Sequence, residues 1–388
     1  MIGHHGTMIA TDRSVSTARS RIVVDRAQGK REVRARGVRN FTNFGNRVKF
    51  GDLIKKVAAV SNLRFATRLN SFASRAEAEW PGQKGKPSVL QMAARAARVD
   101  GLTDLDLNYP DHVGEDPCEL ARKLGDLGLS INGFAMRYYT NPAFKLGAFT
   151  HPDEAVRREA IDLTKRGIDA ARAAGSNLMT IWLGQDGFDY AFQADYDRLW
   201  DHEVSGIREV CAHDPDCLIS IEYKPNEPRA FSLLPDCATT LLAIKEAGAA
   251  NLGVTLDFAH VLYADEQPAF AAALIARHSR LLGVHLNDGY AKRDDGLMVG
   301  AVHSVQTIEL LRQIRRDGYD GAIYFDTFPD MTGLDPVQEC EVNIRTVKRM
   351  LDVVDRLDRD NRLGDAIERQ DAVSAQAIVQ EAMLAPGA

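Results

Sequence analysis

A closed parallel (β/α)8 barrel of TIM-barrel type, α/β in class and carrying a helical extension at its C-terminal end, is the fold the sequence predicts. Three observations predict it. From Leu63 onward, eight short apolar runs of strand length alternate with longer stretches of helical periodicity, the pattern of repeated β/α units. Gly128, Gly175, Gly248 and Gly318 each stand just before one of those runs, where a helix C-terminus favours a residue tolerant of positive φ. No Gly-rich phosphate fingerprint follows the first run, which argues against the competing open, doubly wound sheet.

The strands are expected at residues 63–69, 102–107, 129–135, 178–183, 218–223, 252–256, 281–286 and 322–325. Between them lie amphipathic stretches such as 152–174, where Ala155, Ile161, Ile168 and Ala171 share one face and His151-Pro152-Asp153 supplies a helix start. The eight units occupy roughly 290 residues, near the ~250 of a typical barrel. After the eighth run comes one long helical pattern at 336–357, then a charged stretch at 358–369 and a second helical segment at 373–384. The expected organisation is a basic N-terminal extension at 1–48, the barrel at 49–350 and the helical extension at 351–388.

Charge is spread unevenly over the 388 residues, whose formal net charge is -6. Residues 11–40 hold nine Lys/Arg against three acids and little apolar periodicity, a composition that buries too little surface to repay ordering. The remaining chain is acidic, which argues against binding nucleic acid by bulk electrostatics. Five dispersed cysteines, Cys118, Cys211, Cys217, Cys237 and Cys340, are expected to be core thiols of a reduced compartment. No apolar run reaches the ~20 residues that cross a bilayer and no short apolar leader follows Met1. The expectation is a cytoplasmic protein with no membrane and no nucleic-acid partner.

Chemistry in such a barrel gathers at the carboxyl ends of its strands. The fifth run ends with Glu222-Tyr223-Lys224, the sixth with Asp257-Phe258-Ala259-His260, the seventh with His285-Leu286-Asn287-Asp288 and the eighth with Asp326. Neighbouring strands are ~4.8 Å apart, so Glu222, Asp257, His285 and Asp326 can reach one point. Three carboxylates crowded there resist ionising together, and a divalent cation resolves the conflict. Oxygen-rich ligation with one imidazole suits Mn, Mg or Co better than a structural zinc. Lys224, two residues beyond Glu222, returns to the same strand face. It is either the counter-ion of the acids or a cation that stabilises charge on a sugar carbonyl oxygen. Asp257 and His260, with Asp294 or Asp295, can hold a second metal, although Asp294-Asp295-Gly296 also reads as a plain turn.

The segment from Ile221 to Arg229, Ile-Glu-Tyr-Lys-Pro-Asn-Glu-Pro-Arg, is similar to the Glu-Pro-Lys-Pro-Asn-Glu-Pro-Arg segment of D-xylose isomerases. Residues 140–150 and Trp182-Leu183-Gly184 resemble two further segments of that family, and the surroundings of His285 and Asp294 resemble its L-rhamnose isomerase branch. The resemblance implies a structural metal on Glu222, Asp257, His285 and Asp326, and a catalytic metal on His260 and Asp294 with Asp257 bridging. It implies that Lys224 contacts the substrate carbonyl and that Trp182 walls the pocket. The implied reaction is a metal-mediated 1,2-hydride shift on a small free sugar, with Lys224, Asp294 and His260 as catalytic residues, in a homo-oligomer, tetramer or dimer. The chain departs from the family in three places. Gly296 stands where a further carboxylate is expected in the metal loop. His112 is the candidate for the ring-opening histidine, against a solvated loop histidine. Arg137 and Tyr138 replace small residues and alter what the pocket admits. The alternative is a ketose 3-epimerase that abstracts a proton with paired glutamates. Its strand-eight acid would be Asp326, and Lys224 would have no task.

Overall fold

The computed structural model describes residues 63–385, so the expected basic extension at 1–48 lies outside the described residues. Eight strands appear where the apolar runs predict them: β1 Phe65–Arg68, β2 Asp104–Tyr109, β3 Ser130–Met136, β4 Leu178–Ile181, β5 Leu218–Glu222, β6 Leu252–Asp257, β7 Leu281–Leu286 and β8 Ile323–Phe325. Each pairs in parallel with its sequence neighbours, and β1 closes the barrel against β8 through Phe65↔Ile323. Burial on both faces is what makes such strands read as continuous apolar runs. Strand β2 is displaced by two residues from its expected span. Its inward carboxylates, Asp104 and Asp106, interrupt the apolar run and are satisfied internally, by Arg64 Nη1 at 2.9 Å and Asn132 Nδ2 at 2.8 Å.

The helices follow their caps. Asp153 Oδ1 accepts from Ala155 N at 2.8 Å and opens helix Glu154–Ala173. Its buried stripe runs through Ala160, Ile161, Thr164, Ile168 and Ala171. Ala155, expected on that face, is exposed in the first turn, because the helix begins before it reaches the barrel wall. Gly248 and Gly318 close their helices in the left-handed region, at φ 66° and 80°.

The long helix Pro336–Arg359 buries Cys340, Ile344, Val347 and Val354 and is tied to helix Ser304–Asp317 by Arg315–Asp355 and Arg312–Asp358 pairs. It is the eighth helix of the barrel's outer ring, and the expected boundary at 350 falls inside it. The charged stretch that follows is itself helical, Asn361–Glu368, since Leu363 and Ala366 lie three apart and are both buried. Four cysteines are buried as expected, but Cys118 is exposed. Among the described residues, no helix is long and apolar enough to cross a membrane.

Glu203 lies wholly within this shell beside Asp186, and neither of its carboxyl oxygens has a partner. Burial, then the Asp186 charge, pushes it well above the usual carboxylate range. A group raised on folding contributes its stability below the unfolded value, near 4.5, and loses it as pH rises toward the folded value. Glu203→Gln is therefore expected to stabilise the protein by roughly 1–3 kcal/mol at pH 7 and hardly at all at pH 4. Thermal unfolding at the two pH values checks this.

Candidate metal centre

Glu222 is the last residue of β5 and Asp257 the last of β6. His285 is next to last on β7, and Asp326 follows β8 directly. Asp257 and His285 are paired across β6 and β7. Consecutive strands thus deliver their side chains at one level, and one ligand atom from each of the four residues lies within 4.8 Å of the others. The closest pair is His285 Nδ1 and Glu222 Oε1 at 3.1 Å, with Asp257 Oδ2 at 3.9 Å from the same nitrogen. Glu222, Asp257 and His285 are buried, and Asp326 is half-buried.

Electrostatics within the cluster favours added positive charge. Burial, reinforced by Asp294, Asp326 and Glu222 against His260, pushes the Asp257 carboxyl up to about 7. Burial and Glu222 likewise raise Asp326. Burial opposes a charged His285, but Glu222, Asp326 and Asp257 outweigh it and push the imidazole up to about 9. Protons collect on acids that repel one another, and a divalent cation shared by the four groups would displace them. The donor set fits a hard to borderline metal with oxygen and imidazole ligands.

Asp257 also caps the short helix Phe258–Tyr263, accepting from His260 N at 3.0 Å. That places His260 one turn on, beside the cluster. Its Nδ1 donates to the Tyr223 carbonyl at 3.0 Å and its Nε2 to Asp294 Oδ2 at 3.1 Å, and against burial the Asp257 and Asp294 charges push this imidazole up to about 10, so that a metal bound at Nε2 would displace a proton. The Nδ1 contact is the second-sphere arrangement that orients a ligating imidazole. Asp294 rides on a loop pinned at its base by the Asp288↔Leu297 bridge, and its Oδ1 is buried with no partner. Lys224 Nζ sits 3.2 Å from Asp294 Oδ2, 2.9 Å from Glu227 Oε2 and 5.3 Å from the centre of the Trp182 ring. Asp257, His260 and Asp294 could therefore hold a second ion, and the orphaned Asp294 oxygen fits that role.

A cavity of about 180 Å³ opens above these groups, walled by Trp182, Tyr139 and Phe328 and lined by Lys224, Arg137 and Arg68. The loop residue Asp295 does not turn inward. It accepts from Tyr290 N at 2.9 Å and Arg293 Nε at 2.7 Å. Gly296 has φ 56°, and a Cβ there would lie 2.3 Å from the Phe328 ring, so Phe328 occupies the space a further carboxylate would need.

The remaining sequence-predicted groups divide. Arg137, Trp182 and Lys224 face the cavity. Tyr138 alternates to the other side, where its hydroxyl meets Thr164 Oγ1 at 2.6 Å, and it does not shape the pocket. His112 is buried rather than solvated and is absent from the cavity lining. Its Nδ1 accepts from Asn108 N at 3.0 Å, so Nε2 carries the proton and donates to Asn70 Oδ1 at 2.6 Å. Burial, with Arg137 and Arg68 nearby, pushes it down to about 3 and keeps it neutral.

Sequence reasoning missed Asn287, which is fully buried. It donates from Nδ2 to both Asp257 oxygens, at 3.2 and 3.0 Å, and to the Asp326 carbonyl at 3.2 Å. Its signal was its place two residues past His285, on the same strand face. Arg68 was missed as well. It lies 3.9 Å from Asp326 and pairs with Asp330 at 2.8 Å.

The model of a family described as xylose isomerase-like TIM barrel matches residues 93–350, the span that carries β2 to β8 and every side chain of the cluster. The chain belongs to the xylose isomerase-like TIM barrel family. Among curated members, it is 26% identical over 248 residues to a xylose isomerase of Thermus thermophilus, covering 61% of this chain and 64% of that one. It is 25% identical over 289 residues to a probable sugar isomerase of Rhizobium meliloti, covering 70% and 66%. The match thus spans just under two thirds of the length of either relative. Among solved structures, an L-ribulose 3-epimerase superposes with a TM-score of 0.58 at 17% identity, over 76% of this chain and 96% of that one, a likeness of fold alone. The family includes sugar isomerases, and the acidic cluster, through Glu222, Asp326, Asp294 and His260, lines the cavity of this barrel.

Proposed function

We propose that this protein is a divalent-metal-dependent aldose–ketose isomerase. It would transfer hydrogen between carbons one and two of a small, free, unphosphorylated monosaccharide. Glu222, Asp257, His285 and Asp326 would hold one Mn, Mg or Co ion, and Asp257, His260 and Asp294 a second. When bound, such ions polarise the substrate oxygens as Lewis acids.

The chain's own groups account for the rest. Lys224 carries the reading. Its ammonium is buried, fixed between Asp294 and Glu227, and exposed to the cavity beside the second cluster. There it stabilises negative charge developing on a carbonyl oxygen. Trp182, Tyr139 and Phe328 exclude water, and Asn287 fixes Asp257. A 3-epimerase would need carboxylates free to move protons on opposite sides of the substrate. Asp326 is a short acid drawn toward Arg68, and Lys224 is idle in that scheme.

Incubating manganese-loaded protein with candidate ketoses in deuterated water separates the two reactions. Aldose should form with little solvent deuterium in it. Stoichiometric deuterium at carbon three would overturn the isomerase reading.

A further inference from the structure

Three Lys/Arg side chains line the cavity, and two are already neutralised. Arg68 makes a two-point contact with Asp330, at 2.8 and 3.2 Å. Lys224 is shared by Glu227 and Asp294. Arg137 differs. Among the described residues, its guanidinium has no ion pair, its Nε is buried with no acceptor, and its one aromatic neighbour is Tyr139, 6.0 Å from the ring centre. An arginine cannot shed its proton to escape this, and a buried donor without an acceptor is costly. Arg137 lines the cavity, so a ligand there can bring its guanidinium an anionic partner. The planar fork of a guanidinium is matched best by a carboxylate or phosphate oxygen pair, and Arg68 with Asp330 shows that pairing in the same pocket.

We infer that Arg137 is a specificity-determining residue that binds a carboxylate on the substrate, so that the substrate class is a uronate-type sugar acid rather than a neutral sugar. This rests on the isomerase reading above and names the substrate for the same site. Arg137 follows β3 and Lys224 follows β5, so two strand spacings, on the order of 10 Å of rim, separate the two cations. That span suits the two ends of an open-chain sugar, with the reacting carbonyl at Lys224 and the acid at Arg137. The confined cavity, about 180 Å³, favours the compact carboxylate over a phosphate ester.

The test uses full-length manganese-loaded protein and matched pairs: D-glucose with D-glucuronate, D-galactose with D-galacturonate, and D-mannose with D-mannuronate, with D-glucose 6-phosphate as the phosphate arm. Calorimetric Kd and kcat/KM for 1,2-isomerisation are both read. At least one uronate should exceed its neutral partner by tenfold or more. Arg137→Met should bring that ratio close to one, and Arg137→Lys should restore part of it. The inference is overturned if no uronate binds more tightly than its neutral counterpart, if the preference survives in Arg137→Met, or if the phosphate ester is preferred. Isomerisation of neutral sugars without any preference for acids would sink this inference and leave the isomerase standing. Arg137-dependent uronate binding without 1,2-isomerisation would do the reverse.

Discussion

Lys224→Ala is expected to lower turnover by ~100-fold or more, the scale of losing one preorganised electrostatic contact to a transition state, while the protein stays folded and still binds manganese. The side chain is buried, yet it belongs to no part of the apolar core. Its contacts are two carboxylates and an indole face. Removing it leaves Asp294 with His260 as a partner, so the metal ligands keep their places. The loss should fall on kcat more than on KM if the ammonium acts mainly on charge that develops during the reaction. Lys224→Arg should recover little, because a planar fork does not place charge at the same point as a compact ammonium. Steady-state kinetics with a calorimetric manganese Kd for each variant measures this. A rate near wild type would remove Lys224 from the reaction.

The second large effect is expected at Glu222. Glu222→Gln keeps the shape and deletes one charge, and should lower turnover at least ~100-fold by weakening metal binding rather than by unfolding the barrel. Glu222 is the closest carboxylate to His285, at 3.1 Å, and its charge adds to the burial that raises Asp257 and Asp326. Against its burial, His285 and then His260 hold Glu222 down to about 2, so the metal-free variant loses that pairing and its own Tm should fall modestly. The increase in Tm on adding manganese should shrink. A variant that melts far below wild type without metal, or binds manganese unchanged, would contradict this account of the cluster.

The barrel was legible because all eight strands are buried on both faces and separated by helices with clear stops. β5, β6, β7 and β8 end within a residue or two of their expected limits. The metal cluster was legible for a related reason: closed barrels fix where strand ends meet, so adjacency in the sequence of strands becomes adjacency in space. The pattern fails where a polar residue serves the fold. Asp104 and Asp106 displaced β2 because an apolar-run criterion cannot see a carboxylate neutralised by Arg64 or Asn132. Helix Asn361–Glu368 was obscured by charge, since only Leu363 and Ala366 mark its inner face. Arg137 and Tyr138 stood together in the sequence, but strand-like alternation beyond β3 sends one to the cavity and the other to the core. Asn287, Arg68 and the burial of His112 depend on contacts 30 or more residues away in sequence, which no local pattern encodes.

The central claim is that side chains from β5 to β8 share a divalent cation. The most direct measurement is thermal unfolding and calorimetry of demetallated protein as manganese is titrated back. The account predicts saturable binding and a Tm raised by at least ~3 °C at a hundredfold excess over Kd, with both lost in Asp257→Asn. A melting curve unmoved by manganese, with no heat of binding, would contradict it.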